Sequence, residues 1–501
     1  MSSQDSESSP PAASRAEQER STGRRIVLFF DGTGNAAFLE NVTNLPTLFS
    51  LVSADPKEQL LYYQAGIGTP IVQSTGFPTF LSRARAQIAA FLDEGIAYSL
   101  ASHIQRGYSF LMNYWQPGDE IFLFGFSRGA FTARALAGML QQVGLLPAGN
   151  EETVPLAYNV YKAKKDVADG LRKETAAQAF KRCFSRDVEV HFVGVWDTVS
   201  SVGGLFPRTL PFASGSSYIH HFRHAIALDE RRAYFPYQPW IPADGPLPED
   251  HSIKQVWFAG AHSNVGGGLF RYDCDVDPAL SHITLRWMLR EAVEVGLRLE
   301  LMHVLASPIY RPFIEEAIRA DADREDKDLE AFIARVQRRT PGTNRQIAAL
   351  VYLGARRSPL AKDDALSARG DMLSYRIQKY PAEELKKRGV GRRLKDWWAR
   401  QMQRLSTAGW WILEIVPRPQ VVWDVQGKVR RRTWASNFGR GRILLPSPQF
   451  HFTVKDRLAA SSATLLQHGG GNNENVPETK GYSIKARFLP GQSMKDVTFV
   501  E

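Results

Sequence analysis

The pentapeptide Gly125-Phe126-Ser127-Arg128-Gly129 carries a serine at the spacing that a serine nucleophile requires. The apolar segment IFLF precedes it and an Ala-rich segment follows, which predicts a buried strand that leads into a helix. Gly125 and Gly129 leave room for a tight turn between the two, and such a turn raises the serine hydroxyl clear of the sheet. It also places the amide of Arg128 beside a developing oxyanion. We therefore predict that Ser127 is a nucleophile; an incidental serine in a glycine turn is the alternative.

A serine hydroxyl is a weak nucleophile at neutral pH, and it needs a general base that a carboxylate orients. Asp197 ends the apolar segment VEVHFVGVW, where a carboxylate has no packing reason to stand. His262 follows the apolar segment KQVWFAGA and precedes the glycines at 266–268, which permit close approach of another backbone. We predict that Asp197 and His262 complete a triad with Ser127. A helix-capping Asp197 and a purely structural His262 are the alternatives.

Other histidines compete for the role of the base. We expect His224 at the start of a helical stretch, with a structural role, and His191 inside a strand, as part of the core. The segment YIHHFRHAIALDE and a later helix supply the remaining candidates, which are His220, His221 and His282.

The first apolar segment, RIVLFF, ends in the loop Asp31-Gly32-Thr33. A loop at this point supplies a second oxyanion amide in serine hydrolases with this chain order, so Gly32 or Thr33 is the candidate donor. The sequence FFDGTGN also invites a phosphatase interpretation, based on the signature Asp-x-Asp-Gly-Thr. Phe29 stands where one of its two carboxylates belongs, and the loop is too short for a phosphate-binding P-loop.

The elements that must position these residues form a regular series. Strands separated by helical patterns imply an α/β fold with a mostly parallel sheet that is covered on both faces. The carboxyl ends of such strands hold the catalytic groups, and all of the loops named above follow predicted strands. We predict strands at 25–30, 59–64, 121–124, 188–195 and 252–258, and helices at 83–115 and 127–142.

Composition narrows the class of protein. The 501 residues are 44% hydrophobic with a formal net charge of +10, which favours anionic partners without choosing among them. Two cysteines are too few for a disulfide framework. The N-terminal segment lacks the apolar core of a signal peptide, and no apolar run suits a transmembrane helix. We expect cytoplasmic synthesis and, if the protein leaves the cell, a route without a cleaved leader.

The domain organisation that we predict has three parts: a disordered tail at 1–23, a catalytic domain at 24–290, and a helical or irregular region at 291–501. In the last part, basic residues at 376–404 are interleaved with Trp397 and Trp398, a composition that suits an interfacial helix on an anionic membrane. A solvated basic helix is the alternative. No nucleic-acid-binding motif accompanies the charge, so no nucleic-acid partner is expected.

Six motifs, in this order, resemble those of one family: LFFDGTGN, YYQAGIGT, GDEIFLFGFSRGAFTAR, VGVWDTV, HAIALDERR and VWFAGAHSNVGGG. They are similar to α/β hydrolases with a GFSRGA nucleophile elbow, a family that includes phospholipase effectors of bacterial type VI secretion (the first Tle class). The resemblance covers about residues 25–275, and WASNFGRGR near the end resembles the family's C-terminal signature. Asn264, in the last of the six motifs, departs from the family pattern, because the family usually has Asp at that position.

This resemblance implies an α/β-hydrolase fold with a basic C-terminal addition, and a lipase-like or phospholipase A-type serine esterase. It assigns the nucleophile to Ser127, the acid to Asp197 and the base to His262. It also implies a phospholipid or membrane surface as partner, and a secretion apparatus and an immunity protein as further partners. The chemistry needs no metal and no cofactor, and calcium at Asp273, Asp275 and Asp277 is left open. A hydrolase of small soluble esters and a membrane-binding module with a degenerate site are the alternatives.

Overall fold

The computed structural model describes most of the predicted catalytic region and parts of the C-terminal region. The described residues are 23–32, 42–66, 94–163, 166–169, 172–199, 215–241, 248–268, 280–307, 309–310, 414–415, 418–423, 429–455, 457–458 and 484–500.

A central sheet organises these residues. Its strands are β1 (Arg25–Phe30), β2 (Gln59–Gln64), β3 (Glu120–Phe126), β6 (Val190–Trp196), β7 (Ile219–Ala227), β8 (Ser252–Phe258), β11 (Gln449–His451) and β12 (Thr498–Val500). Their order is β12-β11-β8-β7-β6-β3-β1-β2, and every neighbouring pair is parallel. Two antiparallel hairpins lie outside it: β4 (Asp166–Asp169) with β5 (Arg172–Thr175), and β9 (Arg418–Trp423) with β10 (Val429–Ala435).

Helices cover both faces of this sheet. They are α1 (Asn44–Leu51), α2 (Glu94–Tyr114), α3 (Arg128–Val143), α4 (Val154–Lys162), α5 (Ala176–Phe184), α6 (His262–Gly266), α7 (Leu280–Glu294) and α8 (Leu301–Ala306). Residues of α2, α3, α4 and α5 share one hydrophobic core with Ile26 and Leu28 of β1. Residues of α1, α7 and α8 share another with Val27 and Phe29. Because side chains alternate across a strand, a continuous apolar run such as β1 fills two cores at once.

The structure confirms the predicted α/β fold and most of its strands. β1, β2 and β8 have the predicted bounds, and β3 is longer by a residue at its start and by two at its end. The helix predicted at 127–142 is α3, and α2 is the described part of the helix predicted at 83–115.

One expectation was wrong. His224 does not begin a helical stretch, because Ile219–Ala227 forms β7 in the middle of the sheet, between β6 and β8. His224 is fully buried there, and its Nε2 accepts the backbone N–H of Thr198 at 3.1 Å, so its role is structural as expected.

The C-terminal part of the chain contributes to the same sheet. β11 pairs with β8, and β12 pairs with β11, so strands from both sides of residue 290 share one hydrogen-bonded sheet. The boundary at 290 stays a prediction, and the basic segment at 376–404 lies outside the described residues. Among the helices that the structure describes, none is both long enough and apolar enough to cross a membrane.

Candidate active site

Ser127 stands at the turn between β3 and α3. Its backbone has φ 57°, a left-handed conformation that a non-glycine residue adopts only under constraint. Its N–H donates to the carbonyl oxygen of Trp196 at 3.0 Å, which ties the turn to β6. A Cβ atom on Gly129 would lie 2.0 Å from the carbonyl oxygen of Phe30, and one on Gly125 would lie 2.5 Å from the carbonyl oxygen of Gly129. Both glycines are therefore required for the turn to close.

The three residues predicted as a triad lie together. The Oγ of Ser127 is 2.9 Å from Nε2 of His262, and Nδ1 of His262 is 2.6 Å from Oδ2 of Asp197. Ser127 is 6% exposed, His262 5% and Asp197 0%. With the His262 proton on Nδ1, the imidazole donates to the carboxylate and can accept the serine proton on Nε2.

The imidazole of His262 is held on two sides by aromatic rings. Phe126 stacks on it with the ring centroids 4.7 Å apart, and Phe235 meets it edge-on at 4.8 Å. The backbone N–H of His262, at the start of α6, donates to Oε2 of Glu230 at 3.2 Å. These contacts fix both the ring and the backbone that carries it.

Asp197 follows β6 and is held more tightly still. Its backbone has φ 42°, its N–H donates to the carbonyl oxygen of Ala225 at 2.8 Å, and its Oδ1 accepts the N–H of Ala227 at 2.9 Å. The guanidinium of Arg442 binds both carboxylate oxygens, with Nη2 2.9 Å from Oδ2. Such bidentate pairing fixes the orientation of a carboxylate as well as its charge.

These charges set the protonation states of the site. Burial alone would raise the pKa of Asp197, but the charge of Arg442 and the hydrogen bond from His262 outweigh it and hold that pKa far below the usual range. Burial lowers the pKa of His262, and the Asp197 carboxylate offsets only part of that effect. At neutral pH the site therefore holds a neutral imidazole against an ionised carboxylate.

Two of the three predicted oxyanion donors, Arg128 and Gly32, are among the described residues. Arg128 is the first residue of α3, so its amide belongs to the helix N-terminus. The N–H of Gly32 donates to the Asp31 carboxylate at 2.6 Å, and Thr33 lies outside the described residues. Burial raises the pKa of Asp31 to about 6, and hydrogen bonds from neighbouring groups lower it in part. Phe29, which stands where a phosphatase would have its other carboxylate, is fully buried and stacks on the ring of Phe124, with the centroids 5.4 Å apart.

Asn264, which departs from the family motif, supports the local turn. Its Oδ1 accepts the N–H of Ala261 at 3.0 Å, just before α6 begins. An amide oxygen makes this contact as well as a carboxylate oxygen does, so Asn264 stabilises the turn that presents His262 without adding a charge.

The competing histidines lie elsewhere. His220 and His221 are near the start of β7, His191 is partly buried in β6, and His282 is in α7. The aspartates 273, 275 and 277 lie outside the described residues.

Sequence reasoning missed the role of Arg442, Glu230 and Arg232. Glu230 pairs with Arg232 at 2.8 Å while it accepts the N–H of His262. Burial raises the pKa of Glu230, but the charge of Arg232 and its hydrogen bond outweigh burial and lower that pKa to about 2. The motifs HAIALDERR and WASNFGRGR contain all three residues, so the signal was present. Their partners were not readable, because Arg442 lies 245 positions from Asp197.

Several known proteins are similar to this chain. A family model described as the catalytic domain of Tle1-like phospholipase effectors of the type VI secretion system matches residues 24–291. An uncharacterized protein of Saccharomyces cerevisiae is 32% identical over 403 residues, which covers 56% of this chain. The chain spans 58% of the length of that yeast relative.

Two solved structures align with lower similarity. An uncharacterized protein from Pseudomonas aeruginosa aligns at a TM-score of 0.35 and 17% identity, over 80% of this chain and 64% of its own. The Tle1 effector bound to the VgrG spike of the type 6 secretion system aligns at a TM-score of 0.32 and 16% identity, over 56% of this chain and 74% of its own.

Proposed function

Because the chain belongs to the family of Tle1-like phospholipase effector catalytic domains, we propose that it is a serine esterase that hydrolyses the carboxylic esters of phospholipids. The observation that carries the proposal is the continuous set of contacts from Ser127 through His262 to Asp197, at 2.9 Å and 2.6 Å. A nucleophile, a base and an orienting acid in that order are what acyl transfer requires. The same contacts speak against a degenerate site.

In this mechanism His262 accepts the proton of Ser127 on Nε2 as the hydroxyl attacks the ester carbonyl. Asp197, oriented by Arg442, fixes the tautomer of His262 and stabilises the imidazolium that forms. The amide of Arg128 would hold the oxyanion together with that of Thr33, or with that of Gly32 if its N–H turns away from the Asp31 carboxylate. His262 then protonates the leaving alcohol, and water, activated by the same imidazole, hydrolyses the acyl enzyme. No step in this scheme uses a metal or a cofactor.

The family description supports a phospholipid substrate and an effector role, with a type VI secretion apparatus as partner. An immunity protein as a further partner stays a prediction. The yeast relative is uncharacterized, so the hydrolase chemistry is supported by the family model and by the contacts of Ser127. A phospholipase A-type reaction would release a fatty acid and leave a lysophospholipid.

The test is fatty-acid release from mixed phospholipid vesicles by the wild type, Ser127→Ala and Ser50→Ala. Removal of a triad serine costs on the order of a million-fold in turnover, so Ser127→Ala should be inactive. Ser50 is an exposed serine on α1 whose loss should leave the rate unchanged. A fluorophosphonate probe should label the wild type and Ser50→Ala alone.

The other outcomes discriminate the alternatives. Hydrolysis of short p-nitrophenyl esters without any action on vesicles would replace the phospholipid substrate by small soluble esters. Silence on both substrates, with no probe labelling, would mean a membrane-binding module with an inert site.

A further inference from the structure

A group of histidines and carboxylates lies at the amino-terminal ends of three neighbouring strands. Glu189, His220 and His251 stand beside the first residues of β6, β7 and β8, which are parallel. Asp197 and His262 follow the opposite ends, roughly 20 Å away along a seven-residue strand. The group is therefore separate from the candidate active site.

Three members of this group direct ligand atoms toward one another. One ligand atom each from His220, Asp250 and His251 lies within 4.8 Å of the other two. Oδ2 of Asp250 is 3.5 Å from Nδ1 of His220, and Oδ1 is 3.8 Å from Nε2 of His251. Ligand atoms around a tetrahedral zinc ion are roughly 3.3 Å apart, because each bond is about 2.0–2.1 Å long. Small side-chain movements would therefore let all three bind one ion.

Glu189 completes the arrangement from behind His220. Its Oε2 lies 2.7 Å from Nε2 of His220. Histidines that bind metals commonly donate their other N–H to a carboxylate, which fixes the tautomer and makes the ligating nitrogen more basic. Here that contact leaves the lone pair of His220 on Nδ1, the nitrogen that faces Asp250.

His251 and Asp250 differ in exposure, and the difference suits a binding site. The His251 side chain is 5% exposed, and its ring lies 4.7 Å from that of His220, centroid to centroid. The Asp250 side chain is 69% exposed, so it can close onto an ion at little cost. The neighbouring His221 contacts the hydroxyl of Ser252 at 2.9 Å, and His191 contacts the carbonyl oxygen of Val295 at 2.8 Å. Neither histidine belongs to the ligand set.

We propose that His220, Asp250 and His251 form a binding site for a divalent transition-metal ion of the zinc class, with Glu189 orienting His220. Two imidazoles and one carboxylate suit Zn²⁺ better than Ca²⁺ or Mg²⁺, which take mainly oxygen ligands. The exposed side of Asp250 leaves a fourth position for water. The bound ion ties the segment before β8 to the start of β7, far from Ser127.

The test is metal binding to the full chain, prepared without a polyhistidine tag, in the wild type, Asp250→Asn and Glu249→Gln. Zn²⁺ is measured by calorimetry and Co²⁺ by the visible absorption of its tetrahedral complexes. The wild type should bind one ion per chain and unfold at a higher temperature with zinc. Asp250→Asn should lose at least about tenfold in affinity, as changes in and around metal ligands do. Glu249→Gln removes the same charge from an exposed neighbour outside the ligand set and should bind as the wild type does.

A wild type that does not bind one zinc ion would overturn the proposal. So would an equal loss of affinity in the two variants, which would indicate a diffuse charge effect. Zinc binding to Asp250→Asn with the affinity of the wild type would place the ion elsewhere, for example on His262. His251→Gln, checked for a native circular dichroism spectrum, should reproduce the loss seen in Asp250→Asn.

Discussion

At the scale of single residues, the proposed chemistry depends on the charge of His262. A general base works only in its neutral form, and burial lowers the pKa of this imidazole while Asp197 offsets part of the effect. Arg232 lowers that pKa further and Glu230 raises it, and the net effect is a pKa below the ordinary histidine value. The neutral form is therefore the resting state at neutral pH.

The pH dependence of hydrolysis follows from the lowered pKa of His262. A lowered pKa keeps His262 neutral further into the acid range, so kcat/KM on a soluble ester should stay constant near neutral pH. It should fall with acid around a midpoint below the ordinary histidine value of about 6.5. A pH profile of kcat/KM measures it, and a midpoint above that value would contradict the environment described for His262.

At the scale of elements, the turn from β3 to α3 is the most constrained feature of the site. We expect Gly129→Ala to cost about 3 kcal/mol or more in the free energy of unfolding, because its Cβ would meet the backbone oxygen of Phe30 at 2.0 Å. Gly149→Ala is the matched control, since Gly149 has φ +82° in open space and should cost only about 1–2 kcal/mol of backbone strain. Denaturant unfolding measures both, and equal losses would mean that the turn can relax.

The segment between β10 and β11 is the second element that the site depends on, through Arg442. We expect Arg442→Gln to lower kcat/KM and to move the acid limb of its pH profile upward. Without the guanidinium, the Asp197 carboxylate attracts a proton more strongly. Whether that proton binds the carboxylate itself or His262, the pKa rises, so the acid limb moves to higher pH. Arg442→Lys should restore part of the rate, because it returns the charge without the bidentate geometry.

A purely structural role for Arg442 predicts a different result. Loss of one partner of a buried ion pair costs about 3–5 kcal/mol, so a lower folded fraction would reduce the rate at every pH without moving the midpoint. Arg440→Gln is the control, because Arg440 is exposed two positions away. An unshifted midpoint in folded Arg442→Gln would reduce Arg442 to a structural residue.

These elements also show what the sequence can and cannot predict. β1 was predicted with correct bounds because a continuous apolar run bounded by turns has few other uses. β7 was missed because the polar residues of IHHFRHAIA, among them Arg223 and His224, interrupt the apolar pattern. Arg223 is buried there because it pairs with Glu291, a partner 68 positions away. Contacts of this kind depend on the fold and leave no local pattern.

At the scale of the whole molecule, the described C-terminal residues are packed into the catalytic sheet. Leu444, Phe450 and Val454 share a hydrophobic core with Trp257 of β8 and Ile226 of β7. Asn437 joins this part to the loop after β7, because its Nδ2 donates to the carbonyl oxygen of Arg231 at 2.7 Å. The sheet that carries Ser127 therefore includes strands from beyond residue 290.

Removal of everything after residue 291 tests that boundary, because the family match also ends there. The shortened chain loses the end of α7 and all of α8, β11 and β12. It also exposes the apolar residues of β8 that these strands cover and leaves the buried Asp197 without Arg442. An exposed apolar strand edge favours aggregation, so we expect an insoluble or inactive product, measured as the soluble fraction and as ester hydrolysis. Co-expression of residues 414–501 as a separate chain should return part of the activity, since that piece supplies β11, β12 and Arg442. A soluble 1–291 chain with the full rate would mean that the catalytic domain does fold alone, and that Arg442 and the two strands are accessory to it.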